Sequence, residues 1–296
     1  MSAGLAPERA AVPLPLAPDA LDALVRAALE EDRAFDDVTT RATVDPSARA
    51  SARMVARAAG VVAGLPLAAA AFSQLDRTAR ARALVSDGAH VARGDAVMEI
   101  DGPARAILSA ERVALNFVQR LSGIATLTAR YVDAVRGTRA CILDTRKTTP
   151  GLRALEKWAV RLGGGESHRP DLAAAVLIKD NHIAAVGGDV VVAVRRAREL
   201  APATALVEVE CDTVAQVEAA LGAAPDIILL DNMSLDDMRR CVALVAGRVQ
   251  LEASGGISLE TARAIAETGV DRISVGALTH SAPALDVGLD FAAESS

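Results

Sequence analysis

Six short apolar runs separated by helical stretches fill the chain after Ala140, and they constrain its fold more than any other feature. Strands that alternate with helices along a chain pair in parallel through right-handed crossovers. Six such strands predict a closed or nearly closed α/β barrel, with a doubly wound open sheet as the alternative. The runs cover residues 141–143, 174–178, 206–209, 227–230, 249–251 and 273–275.

The part of the chain before these runs has a different pattern. Apolar residues at helical spacing predict a helix over 19–31, and the polar stretch EDRAFDDVTT that follows is typical of a loop. Short β-prone runs separated by turn signals then predict a small α+β domain. The predicted strands cover 53–58, 61–63, 80–85 and 97–100.

A long helical pattern over 109–136 joins the two regions and is interrupted at Ser122 and Gly123. The pattern allows one helix or two, and we place the domain join at the interruption. The predicted organisation is a flexible Ala/Pro-rich arm over 1–17, an α+β domain over 18–122 and an α/β-barrel domain over 123–296.

Composition excludes several classes of function. The net charge of −6 and the low aromatic content of 2% argue against nucleic-acid binding, which needs a basic surface and stacking platforms. No apolar run has the length of a membrane span, and the N-terminus lacks the pattern of a secretory signal. The three cysteines lie far apart, which favours free thiols in a reducing cytoplasm. We therefore expect a soluble cytoplasmic metabolic protein that binds neither nucleic acid nor membrane.

Basic residues cluster after the first two predicted barrel strands. Because the active sites of parallel barrels lie at the carboxyl ends of the strands, we expect these residues to form one cationic side of a site. Only three of the 32 basic residues are lysine, so a lysine at a strand end suggests a specific role, although surface charge is the alternative. Planar guanidinium groups suit carboxylates. The candidate residues are Thr145, Arg146, Lys147, His168, Arg169 and Lys179.

Acidic residues follow the next two strands. Glu208 and Glu210 share one face of the third strand because they are two residues apart, and Asp231 ends the fourth strand. Carboxylate oxygens are suitable ligands for Mg²⁺, which we predict to be held by Glu210 and Asp231. The alternative is a buried network in which these carboxylates pair with basic side chains.

Two turns after the last strands lack bulky side chains and are typical of phosphate-binding turns. Backbone N–H groups in such turns can point at a phosphate, although a tight turn that requires positive φ is the alternative. The turns are Ser254, Gly255 and Gly256, and Val275, Gly276 and Ala277. The strand ends together therefore predict a site for two anions, one held by cations and one by backbone turns and a metal, with group transfer between them.

Several segments resemble, together and in order, those of quinolinate phosphoribosyltransferases. The resemblance covers roughly residues 32–288 and includes DDVTT and DGAHVARGD in the first domain. The segments after it are ERVALNFVQRLSGIAT, DTRKTTPGLR, GGGESHR, IKDNH, VEVECD, ILLDN, EASGGI and VGALTH.

This resemblance implies an N-terminal α+β sandwich-like domain, a six-stranded α/β barrel and a homodimer whose subunits share each active site. It implies transfer of a phosphoribosyl group from phosphoribosyl pyrophosphate to quinolinate, with loss of carbon dioxide, in NAD biosynthesis. Arg112 would come from the neighbouring subunit and bind quinolinate with the cationic side. Glu210, Asp231 and Lys147 would be catalytic, Glu210 and Asp231 would face the ribose and Mg²⁺, and the two turns would hold the 5-phosphate.

Three other functions fit parts of the pattern. The chain could be a phosphoribosyltransferase of the same fold with another acceptor, which substrate competition would distinguish. It could be a lyase in which Lys179 forms a Schiff base, which borohydride trapping would reveal. A phosphosugar-binding regulator would bind its ligand without turnover.

Overall fold

The computed structural model describes residues 12–293, so most of the predicted arm over 1–17 lies outside the described residues. Contacts between Cα atoms divide the chain into two units. Among the described residues, the first unit contains 12–121 together with 286–293, and the second contains Ser122–Leu285.

The first unit is built around an antiparallel sheet of four strands in the order β12-β1-β5-β3, with a separate two-stranded pair, β2-β4. Its strands are β1 (Arg49–Ala56), β2 (Gly60–Val61), β3 (Arg80–Ala83), β4 (His90–Val91), β5 (Ala96–Pro103) and β12 (Val287–Ala293). Its helices are α1 (Pro18–Glu31), α2 (Val38–Thr43) and α3 (Leu65–Leu75), with a 3-10 turn at Ala34–Asp36. The predicted α+β character of this region and the helix over 19–31 are confirmed.

Helix α3 and strand β4 were not predicted from the sequence, and two further features differ from the prediction. The predicted loop DDVTT forms α2, because the Asp37 side chain accepts the Thr40 backbone N–H at 3.0 Å and so caps a helix of only six residues. Strand β12 pairs antiparallel with β1, with Ala56 opposite Val287. Because β12 belongs to this sheet, we propose that the barrel domain ends near Leu285 and not at the end of the chain.

Helix α4 (Ala104–Ala134) is one continuous helix. The sequence allowed a break at Ser122 and Gly123, and the structure has none. A Cβ atom on Gly123 would lie 2.1 Å from the carbonyl oxygen of Pro283, so glycine is needed there for close packing inside the second unit. Gly123, which suggested a break in the helix, is therefore the position at which α4 packs closely against the backbone of Pro283.

The second unit contains a parallel sheet of six strands in the order β6-β11-β10-β9-β8-β7. The strands are β6 (Cys141–Leu143), β7 (Val176–Ile178), β8 (Val207–Cys211), β9 (Ile227–Asp231), β10 (Gln250–Ser254) and β11 (Arg272–Ser274). The helices are α5 (Arg153–Leu162), α6 (Asp180–Ala185), α7 (Val190–Leu200), α8 (Val214–Leu221), α9 (Leu235–Val245), α10 (Leu259–Ala266) and α11 (Ala277–His280).

The strand order decides between the two architectures that the sequence allowed. A doubly wound sheet reverses its order at an internal switch point. Here each strand from β7 to β11 neighbours the next, and β6 lies beside β11, which is the cyclic order of a barrel. The two end strands, β6 and β7, are consecutive in the chain, and an isolated parallel bridge joins Leu143 of β6 to Glu166 in the segment between them. The predicted six-stranded α/β barrel is confirmed.

Candidate active site

A cavity of about 620 Å³ lies at the carboxyl ends of the barrel strands, within the second unit. It brings together most of the site residues that the sequence predicted. Those in its lining are Thr145, Arg146, Lys147, His168, Arg169, Lys179, Glu210, Asp231, Ser254, Gly255 and Gly256. The lining also contains residues that were not predicted to belong to a site, namely Leu177, Leu229, Asn232, Glu252 and Ser274.

One wall of the cavity is cationic. Arg146 and Lys147 follow β6, Arg169 lies in the segment before β7, and Lys179 follows β7. Within residues 12–293, neither Arg146 nor Lys147 pairs with a carboxylate, and the buried Nε atom of Arg146 has no hydrogen-bond partner. Burial, followed by the positive charge of Arg146, lowers the pKa of Arg169. Because buried polar groups are normally hydrogen-bonded, this wall is suited to an anion.

His168 is buried and both of its ring nitrogens are engaged. Its Nε2 atom lies 3.1 Å from Glu208 Oε2 and 3.3 Å from Glu252 Oε1, and its Nδ1 atom accepts the Arg169 backbone N–H at 2.8 Å. Burial opposes a charge on the ring, but the two carboxylates outweigh it and raise the pKa of His168 to about 9. The Nδ1 atom can accept the Arg169 N–H only when it carries no proton. This hydrogen bond therefore favours the neutral ring and acts against the two carboxylates, which favour the protonated ring. His168 thus links Arg169 to the barrel interior.

A second part of the lining, here called the carboxylate wall, carries Glu210 of β8 and Asp231 of β9. One oxygen atom from each of Glu210, Asp212 and Asp231 lies within 4.8 Å of the other two. Glu210 is buried and contacts the Lys179 ammonium, while Asp231 Oδ2 accepts a hydrogen bond of 2.6 Å from Asn232 Nδ2. Asp212 was missed, although it continues the spacing of two that Glu208 and Glu210 begin. These oxygen donors fit a Mg²⁺ ion, which takes one or two carboxylates and completes its shell with water or phosphate.

The turn Ser254–Gly256 lies beside the carboxylate wall. Gly255 has φ of +92° and Gly256 has φ of +57°, a conformation that L side chains rarely adopt. A Cβ atom on Gly255 would lie 2.2 Å from Asn232 Oδ1, whereas no atom of residues 12–293 lies within 4 Å of the same position on Gly256. The backbone at Gly256 is therefore open to a ligand.

Four predicted site residues lie outside the cavity lining. The backbone N–H of Val275 donates to Leu143 O at 2.9 Å and extends the pairing of β11 with β6, while Gly276 and Ala277 begin the short helix α11. Gly276 packs against the Lys147 side chain, since a Cβ atom there would lie 3.1 Å from Lys147 Cδ. Arg112 is exposed on α4 in the part that groups with the first unit.

Comparison with known proteins places the chain in a family. Residues 37–122 match the model for the quinolinate phosphoribosyl transferase N-terminal domain, and residues 124–290 match the model for its C-terminal domain. The chain belongs to the quinolinate phosphoribosyltransferase family. The family resemblance inferred from the sequence segments is confirmed.

The similarity to relatives in the quinolinate phosphoribosyltransferase family extends over most of the length of this chain. It is 48% identical to the nicotinate-nucleotide pyrophosphorylase [carboxylating] of Mycobacterium leprae over 279 residues, covering 92% of this chain and 98% of the relative. The probable enzyme of the same name from Bacillus subtilis is 43% identical, with 88% and 89% covered. The solved nicotinate-nucleotide pyrophosphorylase from Francisella tularensis is 38% identical, with 94% and 99% covered and a TM-score of 0.88.

Within the described part of this family member, no helix is both long and apolar enough to cross a bilayer. The cytoplasmic location expected from the sequence stays a prediction.

Proposed function

We propose that the chain transfers the phosphoribosyl group of phosphoribosyl pyrophosphate to quinolinate, with decarboxylation, in NAD biosynthesis. The products are nicotinate mononucleotide, pyrophosphate and carbon dioxide. The observation that carries this proposal is the cavity itself, in which Arg146 and Lys147 lack carboxylate partners among residues 12–293 and share the lining with the carboxylates of Glu210 and Asp231. Such a cavity fits two different substrates, an anionic acceptor and a phosphorylated donor.

The acceptor is assigned to the cationic wall. Quinolinate carries two carboxylates on one ring, and Arg146, Lys147, Arg169 and Lys179 supply positive groups on that side of the cavity. The unpartnered Nε atom of Arg146 supports this assignment, because a bound carboxylate would satisfy it. His168 contributes to the same wall through its hydrogen bond with Arg169.

The donor is assigned to the carboxylate wall and the glycine turn. Glu210 and Asp231 would hold Mg²⁺, with Asp212 as a further oxygen donor within reach. When bound, the ion would neutralise negative charge that develops on the leaving pyrophosphate. Ser254, Gly255 and Gly256 would take the 5-phosphate through backbone N–H groups, with Val275, Gly276 and Ala277 completing the predicted phosphate-binding turns.

The chemistry requires this separation of charge. Loss of pyrophosphate leaves positive charge on the ribosyl carbon, which the carboxylates of Glu210 and Asp231 can stabilise. The cationic wall, including Lys147, would align the ring nitrogen of quinolinate with that carbon and so convert an encounter of two molecules into a positioned one. Once the nitrogen is alkylated, the ring accepts electrons and the adjacent 2-carboxylate can leave as carbon dioxide.

A homodimer with shared active sites belongs to the same proposal. Arg112 is exposed and lies outside the cavity lining, which is consistent with a role in the site of a neighbouring subunit. Mixing an Arg112→Ala protein with a protein inactivated at Asp231 would recover part of the activity if each site takes Arg112 from the neighbouring subunit.

Pyrophosphate release with Mg²⁺ and phosphoribosyl pyrophosphate tests the proposed reaction, with quinolinate and nicotinate compared as acceptors. We expect release with quinolinate, accompanied by an equal amount of carbon dioxide. Release of pyrophosphate with nicotinate but not with quinolinate would show that nicotinate, and not quinolinate, is the acceptor. No release with either acceptor, combined with borohydride trapping at Lys179, would replace the transferase with a Schiff-base lyase.

A further inference from the structure

A buried ion pair behind the cavity has no part in the chemistry described above. It joins Lys157, on α5, to Asp144, the first residue after β6, and their side chains are 6% and 0% exposed. Neither residue lines the cavity. Lys157 is also one of only three lysines in a chain that otherwise uses arginine for positive charge.

The pair holds both backbone polar groups of His168. Asp144 Oδ1 accepts the His168 N–H at 2.9 Å, and Lys157 Nζ donates to the His168 carbonyl oxygen at 3.1 Å. Two residues earlier, the Glu166 carbonyl oxygen accepts the Asp144 N–H at 3.2 Å, and the Glu166 N–H donates to Ile142 O at 2.8 Å. The segment 166–168 is thereby fixed alongside β6.

Stability alone does not account for this arrangement. Burial raises the pKa of Asp144 and lowers the pKa of Lys157, which means that desolvation opposes both charges. A buried ion pair is often no more stable than a pair of apolar residues of similar volume, and its best-attested use is to specify one arrangement. An ammonium group can also donate to two acceptors at once, here the Asp144 carboxylate and the His168 carbonyl.

The two segments joined by the pair each carry one guanidinium of the cationic wall. Arg146 follows Asp144 by two residues, and Arg169 follows His168 directly and donates its backbone N–H to the His168 ring. The positive charge of Arg146 acts on Arg169, so the two groups are neighbours in the cavity. The backbone position of Arg169 follows from the attachment of segment 166–168 to β6, while its Nη1 atom donates to Ala175 O at 3.0 Å.

We propose that Lys157 and Asp144 are positioning residues that set the spacing of Arg146 and Arg169 and thereby determine the affinity for the dicarboxylate acceptor. The inference rests on the proposed function, because it assigns these guanidinium groups to the acceptor. It goes beyond that function because it states that a buried ion pair outside the cavity affects the binding of one substrate, the acceptor, and not the binding of the other. The groups assigned to the donor follow other strands, namely β8, β9, β10 and β11, and only the turn after β11 lies beside β6, where the Val275 N–H donates to Leu143 O at 2.9 Å.

The test is the double variant Lys157→Met with Asp144→Asn, which removes both charges together and leaves no unpaired charge in the core. The amide oxygen introduced by Asp144→Asn can still accept the His168 N–H, so the variant removes mainly the hold on the His168 carbonyl. The matched control is Arg239→Met with Asp236→Asn, which removes an exposed pair on α9. Circular dichroism and thermal unfolding establish that each protein is folded.

We expect the double variant to raise the KM for quinolinate by ~10-fold or more, because a displaced guanidinium loses part of its charge-assisted hydrogen bonding to a substrate carboxylate. The KM for phosphoribosyl pyrophosphate should change much less, and the control should match the unaltered protein. Equal changes in both KM values, or an unchanged KM for quinolinate, would overturn the inference.

A second variant and the activity of the unaltered protein complete the test. If the double variant does not fold, Lys157→Arg carries the same test, because it keeps the charge but changes the donor geometry at the His168 carbonyl. A selective rise in the quinolinate KM is again expected, and equal rises would again refute the inference. Absence of turnover by the unaltered protein would instead contradict the proposed function. A failure of the proposed function is thereby distinguished from a failure of the positioning inference.

Discussion

Replacement of Gly255 by alanine tests how closely the glycine turn is coupled to the carboxylate wall. The new Cβ atom would lie 2.2 Å from Asn232 Oδ1 and 2.4 Å from Asn232 Cγ, so the Asn232 side chain must move. That side chain now donates to Asp231 Oδ2 at 2.6 Å. The substitution should therefore disturb a proposed metal ligand without altering it.

The magnitude has two parts. A left-handed conformation costs a non-glycine residue about 1–2 kcal/mol, and the Gly255 φ of +92° imposes this cost on alanine. Loss of a hydrogen bond to a charged group costs about 1.5–3 kcal/mol, and the exposure of Asn232 favours the lower end. We expect the free energy of unfolding of the variant to be about 2–4 kcal/mol lower than that of the unaltered protein.

The control is Gly247→Ala, because Gly247 also has a positive φ, +75°, but no atom in the described part of the chain lies within 4 Å of a Cβ atom there. Gly247 lies outside the cavity lining. Denaturant unfolding should show about 1–2 kcal/mol of destabilisation for this control, from the backbone conformation alone. In steady-state assays, Gly255→Ala should raise the KM for phosphoribosyl pyrophosphate about tenfold, which corresponds to about 1.4 kcal/mol, while Gly247→Ala leaves it unchanged. Identical KM values in the two variants would refute the coupling.

Three further predictions concern the acceptor wall, the metal and the packing of the barrel domain. Arg146→Ala should raise the KM for quinolinate by about 30-fold or more, since truncating one partner of a desolvated charge pair costs about 2–5 kcal/mol, and a parallel rise for the donor would contradict its assignment. Asp231→Asn should weaken the Mg²⁺ dependence of turnover, so an unchanged metal titration would exclude the proposed ligand. Gly123→Ala should lower the free energy of unfolding by about 1–3 kcal/mol despite the higher helix propensity of alanine, because the Cβ atom meets Pro283 O, and a stabilised variant would contradict this.

The thiols give an independent check on burial. Burial raises the pKa of Cys211 to about 12 and that of Cys141 to about 11, and it also raises the pKa of Cys241. A thiol-reactive dye at pH 8 should therefore label native protein slowly at every cysteine, since the thiolate is the reactive form. All three should react after denaturation. Rapid labelling of one thiol in the native protein would show that its surroundings are more open than the structure indicates.

Local sequence pattern was sufficient to predict the barrel strands but not their closure. Each predicted apolar run coincides with a strand to within a few residues, because buried strands of a parallel sheet are continuous apolar runs. The choice between a barrel and a doubly wound sheet depended on β6 lying beside β11, a pairing between residues about 130 positions apart. No local propensity encodes that pairing.

Two errors in the prediction arose where a residue's partner is distant in sequence. Gly123 suggested a helix break because its close contact with Pro283 cannot be seen in the pattern. Strand β12 was not predicted, because its place beside β1 is created by pairing with residues more than 200 positions earlier. The helix α2 was missed for a local reason, since the capping role of Asp37 outweighed the threonine-rich composition.

The sequence by itself determined the fold class, the family and the residues at the strand ends, because strand periodicity and short motifs are local properties of the chain. Only the tertiary structure decided which of those residues are free for ligands and which are engaged with one another. Lys179 contacts Glu210, and both ring nitrogens of His168 are occupied. The buried Nε atom of Arg146 has no hydrogen-bond partner in the part of the chain that the structure describes. Hydrogen bonding and burial depend on atoms that the fold brings together from separate strands, and a residue's type cannot specify them.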